Sequence, residues 1–393
     1  MNYILIAFAL VTLVFGYSNC GKGAFTPANL NPSNSFATGK NTMSIGVGSC
    51  NRINQPCVSV TICKPGTDTC QTVNNVLLDT GSSGLRLFTK VVALPLEPVK
   101  AANGQTITEC MPYAGGDTQW GPLKYADVKL GEQVAANIPI QIIDVGFGTI
   151  PSTCTNNDQD PSVGFNGILG VGHFVSDCGD RCATTVSNGV YFTCSGSTCI
   201  NATVGLDKQV SNPVAFLPID NNGVVVQLPS VPEAGAVSIT GTLTFGIGTQ
   251  ANNTPGQVKV FPADSYGNFK TTFNGTTHTT AFIDSGSNGI FFPSTTLPVC
   301  TNATGFYCPT ATQNFTAIQA GATGSTSETV SFSVINADTV LVPSNPNWVF
   351  NNLAGKLNST DFDWGLPFFL GRTIYVGIEA RPSTIGTGPY WAY

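Results

Sequence analysis

Leu77-Leu78-Asp79-Thr80-Gly81-Ser82-Ser83-Gly84-Leu85 returns in the second half of the chain as Phe282-Ile283-Asp284-Ser285-Gly286-Ser287-Asn288-Gly289-Ile290. Each copy reads apolar, apolar, Asp, hydroxyl, Gly, Ser, variable, Gly, apolar. Each is followed by two apolar residues and a glycine, Ile168-Leu169-Gly170 and Phe369-Leu370-Gly371, after nearly equal intervals. Two elements recurring at matched spacing predict two lobes built on one plan, each contributing one aspartate.

The local chemistry follows from the pattern. An apolar run ending in Asp-Thr/Ser-Gly is a buried strand that stops in a tight turn. The strand fixes the carboxylate, and Gly81 and Gly286 allow positive φ and close approach of a second backbone. Thr80 and Ser285 can brace the turns against each other, while Ser82 and Ser287 can donate to the outer carboxylate oxygens. Two carboxylates brought together this way cannot both ionise easily, so one serves as base and the other as acid.

The rest of the chain fits a β protein. Short runs such as Val58–Cys63, Ile138–Val145 and Val237–Phe245 are punctuated by Gly, Pro and Asn, and no long segment has capped helical periodicity. Charged residues are only 10% of the chain, against roughly 25% in typical soluble domains, so Gly, Thr, Ser and Asn carry the polar surface. With 16 basic residues, no basic cluster and a formal charge of −6, nucleic acid is not an expected partner. The two histidines, His173 and His278, are far apart in sequence, which weakens His-rich metal sites and Ser-His or Cys-His catalysis. No metal and no cofactor are implied.

Export is expected. Ile4 to Phe15 form an apolar run short for a membrane span, without a basic n-region before it, and residues 1–20 are read as a signal peptide. Of the 13 cysteines, Cys20 lies just after that run and the other twelve can close into six disulfides in an oxidising compartment. Cys50/Cys57, Cys63/Cys70, Cys194/Cys199 and Cys300/Cys308 are close in sequence, although spacing alone does not fix connectivity. Cys20 is either the lipid-bearing first residue of a lipoprotein, with possible membrane attachment, or is removed or left unpaired; Tyr17-Ser18-Asn19 is a poor lipobox. Residues 21–45 read as an exposed linker, 46–230 as the N-terminal lobe and 231–393 as the C-terminal lobe.

The two loops resemble the active-site loops of pepsin-like aspartic peptidases, and Gly167-Ile168-Leu169-Gly170-Val171-Gly172 resembles the segment that crosses behind the first loop in that family, with matching order from about residue 45 to the C-terminus. Leu366–Glu379 resembles the last strands of that family. Arg86, the cysteine-bracketed hairpin before Asp79 and Cys20 resemble, more narrowly, an uncharacterised bacterial group of secreted pepsin-like proteins.

The resemblance implies an all-β, bilobal pepsin-like acid-protease fold with two pseudo-symmetric barrel-like lobes. It implies a secreted, periplasmic or cell-surface endopeptidase, monomeric, with Asp79 and Asp284 as the catalytic pair acting on a peptide or protein substrate. The flap candidates are Tyr113 first and Trp120 second. Arg86 stands where the family usually has Trp, and is a cleft candidate that could favour the ionised pair, bind an acidic ligand, or pair with a surface Asp. The Lys-rich prosegment of pepsin-type zymogens is not matched, since residues 21–45 hold only Lys22 and Lys40. The competing reading is a non-catalytic pepsin-like module that binds a peptide, glycan or partner protein.

Overall fold

The computed structural model describes residues 39–50, 52–113, 116–154, 164–357 and 360–393. The expected signal peptide and Cys20 lie outside the described residues. The architecture is all-β and bilobal, and among the described residues no helix is longer than five residues. No described helix is long and apolar enough to cross a membrane.

Alternating Val, Thr and Ile make the first lobe. Pro56–Cys63 (PCVSVTIC) buries nearly every second residue or more, and so does the long strand Thr118–Leu130. Thr118–Leu130 pairs both with Gln133–Ile143 and, through Thr61–Cys63, with Pro56–Cys63, which curls this half of the sheet toward a barrel. The same sheet continues through Thr42–Val47, Ile239–Phe245, Gly223–Gln227, Thr373–Gly377 and Tyr390–Ala392 to Val260–Pro262. Residue 230, the expected division of the lobes, thus falls between two strands that pair with each other in this shared sheet.

Strand Thr42–Val47 begins inside the stretch read as a linker. Its residues pair one by one with those of Ile239–Phe245, and Ile45 and Val47 are fully buried. Burial of these alternate apolar side chains orders the end of that Asn- and Ser-rich segment.

The second lobe is a seven-stranded sheet around an aromatic core. Phe273, Phe292, Phe332, Phe362 and Trp364 pack ring against ring, with Phe292 and Phe362 stacked at 5.2 Å between centroids. The Trp364 indole N–H is satisfied at depth by donating to Thr271 Oγ1 at 2.9 Å.

Both lobes carry the same local topology around their aspartates. Cys70–Asp79 runs parallel to Gly167–Val171, which is antiparallel to Ser83–Phe88, which is parallel to Gln133–Ile143. Likewise Thr276–Ile283 runs parallel to Phe362–Trp364, which is antiparallel to Ile290–Phe292, which is parallel to Ala354–Lys356.

This register corrects one sequence expectation. Leu77 faces Ile168 and Asp79 faces Gly170, whereas Phe282 faces Asp363 and Ile283 faces Trp364. The counterpart of Ile168-Leu169-Gly170 is therefore Asp363-Trp364-Gly365, not Phe369-Leu370-Gly371. The latter lies at the end of a short helix, Leu366–Phe369, and just beyond it. The apolar-apolar-glycine search missed the true copy because an aspartate occupies its first position.

Six disulfides pair the twelve cysteines: Cys50–Cys57, Cys63–Cys70, Cys110–Cys154, Cys178–Cys182, Cys194–Cys199 and Cys300–Cys308. Four of the five short-range pairs are those that proximity in sequence suggested; the fifth is Cys178–Cys182. Cys110–Cys154 closes the longest loop and ties the hairpin strand Thr106–Pro112 to the chain beyond Gln133–Ile143.

Candidate active site

Asp79 ends its strand and Asp284 follows directly on its own, so the two parallel pairings deliver the carboxyls to one point between the lobes. Each carboxyl is held in the same way. Gly81 N–H donates to Asp79 Oδ1 at 2.8 Å and Ser82 Oγ donates to Oδ2 at 2.5 Å. Gly286 N–H donates to Asp284 Oδ1 at 2.7 Å and Ser287 Oγ donates to Oδ2 at 2.8 Å.

The two loops also grip each other. Thr80 Oγ1 donates to the Ile283 carbonyl at 2.9 Å and accepts from Ser285 N–H at 2.9 Å. Ser285 Oγ donates to the Leu78 carbonyl at 2.7 Å and accepts from Thr80 N–H at 3.1 Å. All the expected loop residues thus come together.

The role of the glycines differs from expectation. Gly81 and Gly286 do not adopt positive φ. Close approach is what excludes a side chain: a Cβ at Gly81 would lie 2.8 Å from Asp284 Cγ, and one at Gly286 would lie 3.1 Å from Asp79 Cγ.

Neither aspartate has exposed surface. Burial, then the neighbouring Asp79 and Asp363 carboxyls, hold Asp284 well above the ordinary carboxylate range. Its carboxyl lies within hydrogen-bond reach of Asp79, and that contact favours the protonated form of Asp284.

Tyr113 caps strand Thr106–Pro112 at the hairpin leading to Thr118–Leu130. It is buried with Leu77, Phe88, Met111, Ile143, Phe165 and Ile168 beside the first loop, and it lies within electrostatic range of Asp79. Its hydroxyl donates to Gln119 Oε1 at 2.6 Å. Trp120 instead packs edge-on against Phe192, in a cluster with Cys110 and Cys154, and donates to the Phe147 carbonyl at 2.8 Å. Trp120 therefore packs in the middle of the hairpin ladder, opposite Cys110.

Arg86 is not a solvent-open cleft cation. It is fully buried and its Nη2 donates to Glu109 Oε1 at 2.9 Å and to Asp177 Oδ2 at 2.6 Å. Tyr191 donates to the other Asp177 oxygen at 2.7 Å. Burial and the adjacent Glu109 push Asp177 well above the usual carboxylate range, and the two acids share Arg86. Glu109 is on the hairpin strand that ends at Tyr113, so this cluster anchors the hairpin to the strand following the first loop. No motif marks Glu109, Asp177 or Gln119 in the sequence. His173 is also buried, with Nδ1 at 2.9 Å from the Gly377 carbonyl and its ring edge-on to Trp391, and burial lowers its pKa to about 4.

Fold and site define the class: a bilobal all-β protein with paired aspartates between its lobes. Residues 37–393 match the model of a family described as protein of unknown function (DUF3443), and the chain belongs to that family. No curated protein sequence matches the chain. Among solved structures it is similar to the aspartic proteinase from Irpex lacteus, with 19% sequence identity and a TM-score of 0.47, over 89% of this chain and 96% of that one.

Proposed function

We propose that the protein is an exported aspartic-type endopeptidase in which Asp79 and Asp284 activate water for hydrolysis of a peptide bond. The observation that carries this reading is the doubled loop architecture: both carboxyls are buried, braced and hydrogen-bonded alike, and lie within hydrogen-bond reach of each other. A pair of like groups in this state costs folding energy that an inert turn would avoid.

In the reaction, a water between the carboxyls loses a proton to the ionised member as its oxygen bonds to the scissile carbonyl carbon. The protonated member gives its proton to the carbonyl oxygen. Collapse of the resulting gem-diol breaks the C–N bond, with a proton delivered to the departing amine. The dyad ends with the one proton it began with, and the water's atoms are divided between acid and amine. Because neither carboxyl is exposed, a peptide must displace cover from the site before it reacts, and the Tyr113 hairpin is the element we assign to that movement.

The second reading is a non-catalytic peptide, glycan or protein-binding module, favoured by the complete burial of the dyad. The reactions separate the two. Purified, disulfide-intact protein and its Asp79→Asn variant are incubated with a diverse peptide library from acid to neutral pH, and products are read by mass spectrometry. Cleavage by the parent alone supports the peptidase. A folded parent that cleaves nothing at any pH leaves the binding module. The six disulfides support export to an oxidising compartment.

A further inference from the structure

The two loops differ in one residue behind them. Asp363 occupies the position that Ile168 occupies in the first lobe, opposite Phe282 instead of Leu77. Ile168 packs in an apolar cluster with Leu77 and Tyr113. Asp363 is just as completely buried, and neither of its oxygens has a hydrogen-bond partner. Beside it lies Ser287, whose hydroxyl is turned to Asp284 Oδ2.

The titratable groups that face Asp363 are all acidic. They are Asp79 at the end of the first-lobe strand, Asp284 after Thr276–Ile283, and Asp361 just before its own strand. Among the described residues no cation stands with them. An ionised carboxylate here would be a buried charge without a counter-ion, facing like charges, with the nearby Ser287 hydroxyl turned to Asp284, and such a group keeps its proton instead.

We propose that Asp363 is a third acid of the site: it stays protonated in the folded protein, and its hydroxyl holds the Ser287 hydroxyl on Asp284. This rests on reading Asp79 and Asp284 as the reacting pair. A protonated Asp363 donates to Ser287 Oγ, and Ser287 donates to Asp284, so a line of hydrogen bonds reaches one side of the dyad only. On the other side Ser82 stands before an isoleucine. Three carboxyls then hold two protons and one negative charge. Asp363 acts through Ser287 and is a positioning residue. Burial is the main cause that holds it well above the ordinary range, with Asp79 and Asp361 adding to it.

The test compares wild type with Asp363→Asn and with Asp363→Leu, which restores the first lobe's apolar pattern and serves if the amide does not fold. Infrared difference spectra at neutral pH should show a protonated-carboxyl C=O band in wild type that the variant lacks. Denaturant unfolding across pH should show the variant gaining on wild type. Folded wild type keeps one more proton than the folded variant, a proton that the unfolded chain releases, so the ratio of the wild-type to the variant folding constant falls by roughly tenfold per pH unit above the ordinary Asp pKa. No difference band, or a gap independent of pH, overturns the proposal. Neither readout needs peptide cleavage. A protein that gives both signals but cleaves nothing overturns the peptidase reading alone, and cleavage without them overturns this one alone.

Discussion

Thr80 and Ser285 exchange the same pair of hydrogen bonds across the pseudo-two-fold axis. Each hydroxyl donates to the carbonyl just before the other loop's aspartate and accepts that loop's N–H. Thr80→Val keeps the shape but leaves the Ile283 carbonyl and the Ser285 N–H buried and unpaired. Each such group costs about 1–3 kcal/mol, so urea unfolding should show a loss well beyond that of an exposed Thr→Val change. Thr80→Ser should recover most of it.

The buried Arg86 cluster makes a second prediction. Arg86→Met strands Glu109 and Asp177 in the interior, and breaking a buried pair from one side costs about 3–5 kcal/mol. Adding Glu109→Gln and Asp177→Asn removes the uncompensated charge and should restore most of the stability. If the triple variant is no more stable than the single one, the cluster is held by packing and not by charge.

These examples show what the sequence could and could not reveal. The dyad and its bracing hydroxyls are local, contiguous and repeated, so Asp79 and Asp284 were legible from pattern alone. The partners of Arg86 lie 23 and 91 residues away, brought in by sheet register that no local motif records. The second crossing segment was misplaced for a related reason. Phe369-Leu370-Gly371 satisfies the apolar pattern, whereas Asp363-Trp364-Gly365 carries the pairing, and a buried acid violates the rule by which buried strands are found. Trp120 was legible as a buried aromatic of the hairpin, but the face it presents is set by pairing with Cys110 in the middle of the hairpin ladder.

The pH dependence of stability follows from the buried groups with a definite sign. Asp177, Asp284 and Asp363 have folded-state pKa values raised above the ordinary 3.8. The folded chain therefore binds more protons than the unfolded one above that pH, and stability falls as pH rises toward the folded values. His173, lowered from 6.5 to about 4, works the other way, but only between those two pH values. Above pH 6.5 the carboxyls remain, and at strongly alkaline pH the buried Tyr113 and Tyr191 hydroxyls, also raised by burial, act in the same direction. The melting temperature should therefore fall from slightly acid to alkaline pH, and Asp177→Asn should flatten that fall. A melting temperature that rises through this range would mean that the three acids are ionised in the fold.

The closeness of the loops at Gly81 allows the dyad geometry to be tested apart from its chemistry. A Cβ there would sit 2.8 Å from Asp284 Cγ, so Gly81→Ala must push the carboxyls apart. At Gly286 the corresponding contact is 3.1 Å, which a small shift can accommodate. A misplacement of order 1 Å in a reacting group costs about a hundredfold in rate, so Gly81→Ala should lower kcat by about that factor and Gly286→Ala by less. Separation also weakens the repulsion that keeps the shared proton, so the alkaline limb of the pH–rate profile should move to lower pH in Gly81→Ala. Equal effects of the two substitutions, or a lower kcat with an unmoved limb, would mean that the alanine disturbs peptide entry and leaves the pairing of Asp79 with Asp284 as it was.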